Sequence, residues 1–239
     1  MAIISTTAGY MDGDVLLEAF FAFDDALVGR RPAVLINHTW VGRDEFVAEK
    51  AIKLAELGYV GFAVDMYGKG VLGTSPEQNS ALMQPFMEDR LLLQKRVQAA
   101  LYAVKLLPWV DDHKVAAIGF CFGGLCVLDL ARSGSDVKGV VSFHGMLGAP
   151  VNSLDKPIKA KVLALHGHDD PLATPDQVLA FEREMTLAGV DWQLHSYGHT
   201  AHAFTNSLAN DPENGMVYRA EADSRSWQAM KNFLSEVFA

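Results

Sequence analysis

Apolar residues in this 239-residue chain fall into short unbroken runs separated by longer segments with helical spacing. Runs of four to nine apolar residues bounded by Gly, Pro, Asn or Asp read as strands, and apolar residues recurring at three and four positions read as helices. On that basis Val15 to Phe23 is a strand, followed by Ala33 to Ile36, a continuous apolar run of the kind covered on both faces. Phe46 to Leu57 then makes a helix stopped by Gly58, and Tyr59 to Val64 the next strand. Arg90 to Leu107 is a helix closed by Pro108, and Val115 to Gly119 a strand running into a helix with Leu125, Leu128 and Ala131 on its apolar stripe. Val137 to Phe143, Lys161 to Leu165 and Val190 to Tyr197 are strands. A helix capped by Thr174, with Pro175 in its first turn, lies between the last two and runs to about Ala188. Residues from about Met216 to Phe238 form the closing helix. Residues 68–89, rich in Gly, Ser, Pro, Gln and Met, are too long for an ordinary connection and read as a lid or pocket wall. Strands alternating with helices predict an α/β fold, a mostly parallel central sheet with helices on both faces. With no repeat or linker in the chain, residues 1–239 are expected to form one domain.

Ligand sites in such sheets lie at the carboxyl ends of the strands. Where the apolar runs stop, the chain places His38, Thr39 and Trp40, then Asp65 and Tyr67, Cys121, His144, Asp170 and His202. Gly119-Phe120-Cys121-Phe122-Gly123 is a G-x-C-x-G form of the nucleophile elbow, a sharp strand-to-helix turn that needs small flanking residues. The turn would expose the Cys121 sulfur at a helix N-terminus, where the dipole favours a thiolate. The bland alternative is a buried cysteine in a glycine-rich turn. A thiol nucleophile needs a base, and the base an orienting acid. In elbow enzymes the acid precedes the histidine, and both follow the nucleophile. Asp170, with Asp169 as its neighbouring competitor, and His202, with His199 as its competitor, stand in that order. Phe204 follows His202 past the last strand, and the lone histidines His144, His166 and His195 read as hydrogen-bonded fillers.

These segments resemble the dienelactone hydrolase family of α/β-hydrolases over nearly the whole chain. The resemblance is carried by Gly119-Phe-Cys-Phe-Gly-Gly124, Asp65-Met-Tyr67, Gly167-His-Asp-Asp-Pro171 and His202-Ala-Phe-Thr-Asn206. It implies a Cys121, His202, Asp170 triad, with the acid just before Pro171. It implies backbone N–H groups of Phe122 and Trp40 as the oxyanion hole, and a pocket of His38, Thr39, Tyr67, His144, Phe204 and Asn206. It also implies hydrolysis of carboxyl esters or lactones through a thioester, without cofactor or metal. Two departures stand out. Thr39 occupies the position of a glutamate that engages the resting thiol in the family, and residues 70–89 lack the arginines that hold a substrate carboxylate. Neutral esters or lactones therefore suit this chain better, and an uncharged phosphotriester is a second substrate class for the same metal-free triad.

Bulk composition narrows the partners. A net charge of −9 disfavours nucleic acid and anionic membrane, and no apolar run reaches spanning length. Two cysteines five residues apart are not a disulfide framework, and with no evident signal peptide a reducing cytoplasm is expected. The expected partner is a small-molecule ester, lactone or triester; oligomeric state is not legible. A metal hydrolase using His166-Gly-His168-Asp169 is a rival without the further histidine that such a run needs. A non-catalytic thiol-bearing binding or redox-sensing module is the other.

Overall fold

The computed structural model describes residues 2–151 and 156–239. Its fold is α/β, with eight strands in a mostly parallel sheet and helices packed on it. The chain divides into two compact units, Met1–Ile118 and Gly119–Ala239.

The first unit opens with β1 (Ile3–Asp12) and β2 (Val15–Asp24), an antiparallel hairpin paired from Ile3↔Asp24 to Asp12↔Val15. Its two-residue turn puts Gly13 at φ 59°, a conformation that favours glycine. β1 alternates weakly and is largely polar, so the apolar pattern alone passes over it. β3 (Arg31–Asn37) is buried throughout its Ala33–Ile36 run, as a two-sided strand requires. α1 (Glu45–Glu56) turns Val47, Ala51, Leu54 and Ala55 inward. It lies so close on β4 (Val60–Ala63) that a Cβ at Gly61 would come within 2.4 Å of the Ala51 carbonyl oxygen. β3 and β4 are parallel, while β2 joins β4 antiparallel.

Most of the 68–89 segment, expected as a lid or pocket wall, is a helix, α2 (Pro76–Glu88). Its start has a recognisable chemistry, since the Ser75 hydroxyl accepts from the Gln78 N–H at 3.3 Å and Pro76 sits in the first turn. Polar composition hid it, because only Asn79 and Phe86 are buried. Asp89 then caps α3 (Arg90–Lys105), accepting from the N–H groups of Leu91 and Leu92. β5 (Val110–Phe120), longer than its apolar run at Val115–Gly119, carries the chain into the second unit.

There the chain enters α4 (Phe122–Arg132), whose eleven residues are all buried. The apolar stripe read from sequence is thus one side of a helix enclosed all round. Burying each Leu or Val of such a helix stabilises the fold by about 1.5–3 kcal/mol. The one strong cation on it, Arg132, is neutralised in place by Asp129 at 3.2 Å and Glu184 at 2.7 Å. β6 (Gly139–Phe143), β7 (Lys161–Gly167), α5 (Pro175–Leu187) and β8 (Trp192–Tyr197) follow, with the three strands parallel and adjacent. The closing helix α6 (Ala220–Val237) starts four residues later than the pattern suggested. Met216–Val217 is instead β10, paired with β9 (Asn210–Asp211) in a small hairpin. No helix among the described residues is long and apolar enough to cross a membrane.

Candidate active site

The end of β5 and the start of α4 form the elbow. Cys121 sits between them at φ 56°, ψ −116°, a backbone region that costs a non-glycine residue on the order of 1–3 kcal/mol. Its neighbours explain how the turn closes. A Cβ at Gly119 would lie 2.0 Å from the Gly123 carbonyl oxygen, and one at Gly124 would lie 2.6 Å from the Gly145 Cα and 2.7 Å from the Ser142 Oγ. The helix can start this close to β6 because those side chains are missing. The Cys121 N–H donates to the Phe143 carbonyl at 3.0 Å, while its own carbonyl accepts from Gly124 and Leu125 N–H groups. The side chain is partly exposed, unlike Cys126, and both are free thiols. Phe122, the first helical residue, belongs to the turn whose N–H groups lack intrahelical acceptors.

His202 and Asp170 reach the same place from the loops after β8 and β7. His202 Nδ1 and Asp170 Oδ2 are 2.7 Å apart and both side chains are buried. Asp170 is held in turn by the Leu172 N–H, which donates to its Oδ1 at 2.8 Å. Burial alone would drive the His202 imidazole towards its neutral form. The negative charge of the Cys121 sulfur and the hydrogen bond to Asp170 outweigh it and lift His202 to about 10. The Cys121 sulfur raises His202 first as a charge and then as a side-chain hydrogen-bond partner. Catalytic contacts of this kind are often loose before substrate arrives. His144 packs its ring edgewise against His202 at 4.9 Å and against Phe204 at 5.0 Å, and its Nε2 lies 2.8 Å from the Thr205 hydroxyl. This arrangement brings a thiol, a proton carrier and its orienting carboxylate into electrostatic contact.

The strand-end residues of the first unit form their own cluster. His38 is fully buried: its Nδ1 meets the Thr39 carbonyl at 2.5 Å and its Nε2 accepts from the Met66 N–H at 3.2 Å. Burial holds it down at about 4, so it stands as a neutral brace whose ring nitrogens both serve the backbone. The Tyr67 hydroxyl donates to the Trp40 carbonyl at 3.0 Å, and its ring lies edgewise on His38 at 4.8 Å. Thr39 Oγ1 accepts from the Val41 N–H. Asp65 is buried and structural, its carboxylate accepting from the Glu18, Tyr67 and Gly68 N–H groups.

Of the residues named from sequence, Cys121, His202, Asp170, His144, Phe122 and Phe204 come together in the second unit. Asn206 lies on the same loop, and its side chain turns back to the Leu208 N–H. His38, Thr39, Trp40 and Tyr67 gather in the first unit. The competitors lie elsewhere in their roles: Asp169 is exposed with its N–H on the Thr200 carbonyl, and the His199 carbonyl accepts from Arg219. Sequence reasoning missed Thr205, and it missed the β9–β10 hairpin, whose Gly215 carbonyl receives the His202 N–H at 2.9 Å. The Asn214-Gly215 dipeptide, just ahead of the helix expected from about Met216, is the available turn signal. Among the described residues, no group of three or more His, Cys, Asp and Glu side chains could hold a metal ion.

Comparison with known proteins decides the family. A model of the dienelactone hydrolase family matches residues 17–238. The chain belongs to the dienelactone hydrolase family. Among solved structures, it is similar to a dienelactone hydrolase-like promiscuous phosphotriesterase from metagenomic libraries, with 37% identity, TM-score 0.95 and full coverage of both chains. An uncharacterized Caenorhabditis elegans protein is 40% identical over 62% of this chain and 95% of its own. A carboxymethylenebutenolidase-like protein of Aquifex aeolicus is 29% identical over 84% of this chain and 87% of its own. This member of the dienelactone hydrolase family is therefore a hydrolase, and its relatives span lactone and phosphotriester chemistry.

Proposed function

We propose that this dienelactone hydrolase family member cleaves neutral carboxyl esters or lactones with Cys121 as nucleophile, His202 as acid and base, and Asp170 as orienter. The observation carrying the reading is the buried 2.7 Å contact between His202 Nδ1 and Asp170 Oδ2, next to a cysteine on a left-handed elbow. The Cys121 sulfur attacks the acyl carbon, and negative charge develops on the carbonyl oxygen. The Phe122 N–H at the start of α4 is one donor to that oxygen, and the family resemblance implies the Trp40 N–H as a second. Each such donor contributes on the order of 3 kcal/mol in the transition state. The imidazolium of His202 then protonates the departing alkoxide, leaving a thioester on Cys121. Neutral His202 next takes a proton from water, whose hydroxide attacks the thioester; the acid leaves and the thiolate–imidazolium pair is restored. The absence of arginine in residues 70–89 supports uncharged substrates.

A second reading has its own support in the phosphotriesterase relative. The same thiolate would attack the phosphorus of an uncharged aryl phosphotriester, with the phenoxide leaving as His202 protonates it.

One experiment tests both. The intact enzyme, Cys121→Ala and Cys126→Ala are assayed on a neutral lactone, a p-nitrophenyl ester and a neutral aryl phosphotriester, with and without a chelator. Loss of all turnover in Cys121→Ala, its retention in Cys126→Ala and indifference to the chelator are expected. Stoichiometric labelling of Cys121 with no turnover of any substrate would instead favour a thiol-bearing binding or sensing module.

A further inference from the structure

The loops bearing Asp170 and His202 are tied to each other at two glycines, Gly167 and Gly215. At the end of β7, a Cβ on Gly167 would fall 2.5 Å from the carbonyl oxygens of both Thr200 and Ala201. Beside it the Asp169 N–H donates to the Thr200 carbonyl at 2.9 Å. The second is Gly215, at φ 70°, in the turn between β9 and β10. It does two things at once. Its carbonyl accepts the His202 N–H at 2.9 Å, and its Cα faces Pro171 so closely that a Cβ would lie 2.5 Å from the proline Cγ. The Val217 N–H completes the grip by donating to the His202 carbonyl at 3.0 Å. The hairpin is itself braced, with Asn214 donating from its backbone and its side chain to the Asp211 carboxylate. The gripped segment is strained: Ala203, next to His202, holds φ 57° without a side chain that favours it. Such strain persists only where surrounding contacts over-determine the conformation.

We propose that the Asn210–Val217 hairpin, acting through Gly215, is a positioning element that sets the spacing of Asp170 and His202. The inference rests on the triad reading above. Gly215 touches the backbone of the base and the proline after the acid, so displacing it moves one group against the other. A shift of about 1 Å in a catalytic pair can lower turnover on the order of a hundredfold.

The test compares Gly215→Ala with Gly189→Ala, since Gly189 has a similar φ of 67° but nothing within 4 Å of its would-be Cβ. Both variants carry the same backbone penalty, and only the first meets Pro171. On a p-nitrophenyl ester, Gly215→Ala is expected to lose about 10- to 100-fold in kcat with KM within about threefold. Gly189→Ala is expected to keep the parent kcat. Adding Pro171→Ala to Gly215→Ala removes the clash and is expected to restore at least part of the lost kcat. The proposal is overturned if folded Gly215→Ala keeps its kcat, if Gly189→Ala loses as much, or if Pro171→Ala restores nothing. Should Gly215→Ala not fold, Asn214→Ala loosens the same hairpin from its exposed side, and an unchanged kcat there overturns the proposal. Cys121→Ala, run alongside, separates the two levels. Turnover surviving in it refutes the triad itself, whereas its loss together with an active Gly215→Ala refutes only the hairpin's role.

Discussion

Replacing Asp170 by asparagine removes one charge and almost no volume, and the surrounding hydrogen bonds dictate what happens next. In the native protein Oδ2 faces His202 Nδ1 at 2.7 Å and Oδ1 accepts from the Leu172 N–H at 2.8 Å. An amide has only one oxygen. If it stays with Leu172, the NH2 group points at Nδ1 and forces the ring into the tautomer with its proton on Nε2, where it cannot deprotonate anything. If the oxygen turns to His202, the Leu172 N–H is left facing two donor hydrogens. The first outcome forfeits a charge-assisted hydrogen bond of about 1.5–3 kcal/mol, and the second adds a lost neutral bond of about 1 kcal/mol. The two outcomes are alternatives, so the loss is about 1.5–4 kcal/mol, or roughly 10- to 10³-fold in kcat. Stopped-flow or steady-state hydrolysis of a p-nitrophenyl ester between pH 6 and 11 measures it. Asp169→Asn serves as control and is expected to stay within twofold of the parent, because that carboxyl is exposed. An Asp170→Asn enzyme within tenfold of the parent across the range would refute the reasoning.

Other outcomes follow from the same geometry. His202 is pushed down by burial but lifted to about 10 by Cys121 and Asp170, so the folded state binds its proton more tightly than the unfolded chain. Its contribution to stability is complete below pH 6.5 and fades as pH rises through about 10; melting temperature should fall across that window, less so in His202→Gln. His38 has the opposite sign. Buried and held near 4, it leaves the unfolded chain to take up the proton first, so stability is lost as pH falls from 6.5 towards 4. The acid slope of the melting temperature should flatten in His38→Gln. Gly124→Ala would drive a methyl to within 2.6 Å of the Gly145 Cα, and thermal unfolding should register a loss of about 1–3 kcal/mol, as over-packing of a core does.

The elbow was legible in sequence because its demands are local. A glycine before the nucleophile, an apolar strand and an apolar helix are all visible within fifteen residues. The proposed acid and base were picked out by chain order, since Asp170 follows the apolar run of β7 and His202 follows the alternating strand β8. What stayed hidden lacked that contrast. β1 mixes exposed Ile4 and Met11 with polar residues, and takes its strand conformation from pairing with β2 rather than from its own pattern. α2 buries too few residues to show a stripe. The β9–β10 hairpin has two-residue strands, whose existence depends on the loops they brace. Gly215 could be read as a turn residue, but no sequence pattern connects it to Pro171, forty-four positions earlier in the chain. The role of His38 was obscured for a related reason: its partners are backbone atoms of Thr39 and Met66, which carry no side-chain signature.

The left-handed backbone at Cys121 has an evolutionary corollary. Glycine would occupy that position with less strain than cysteine, at φ 56° and ψ −116°. A lineage released from the need for the thiol would therefore drift towards glycine there and fold better for it. On the role proposed for Cys121, cysteine at the elbow marks selection for chemistry acting against selection for stability, a tension written into one pair of dihedral angles.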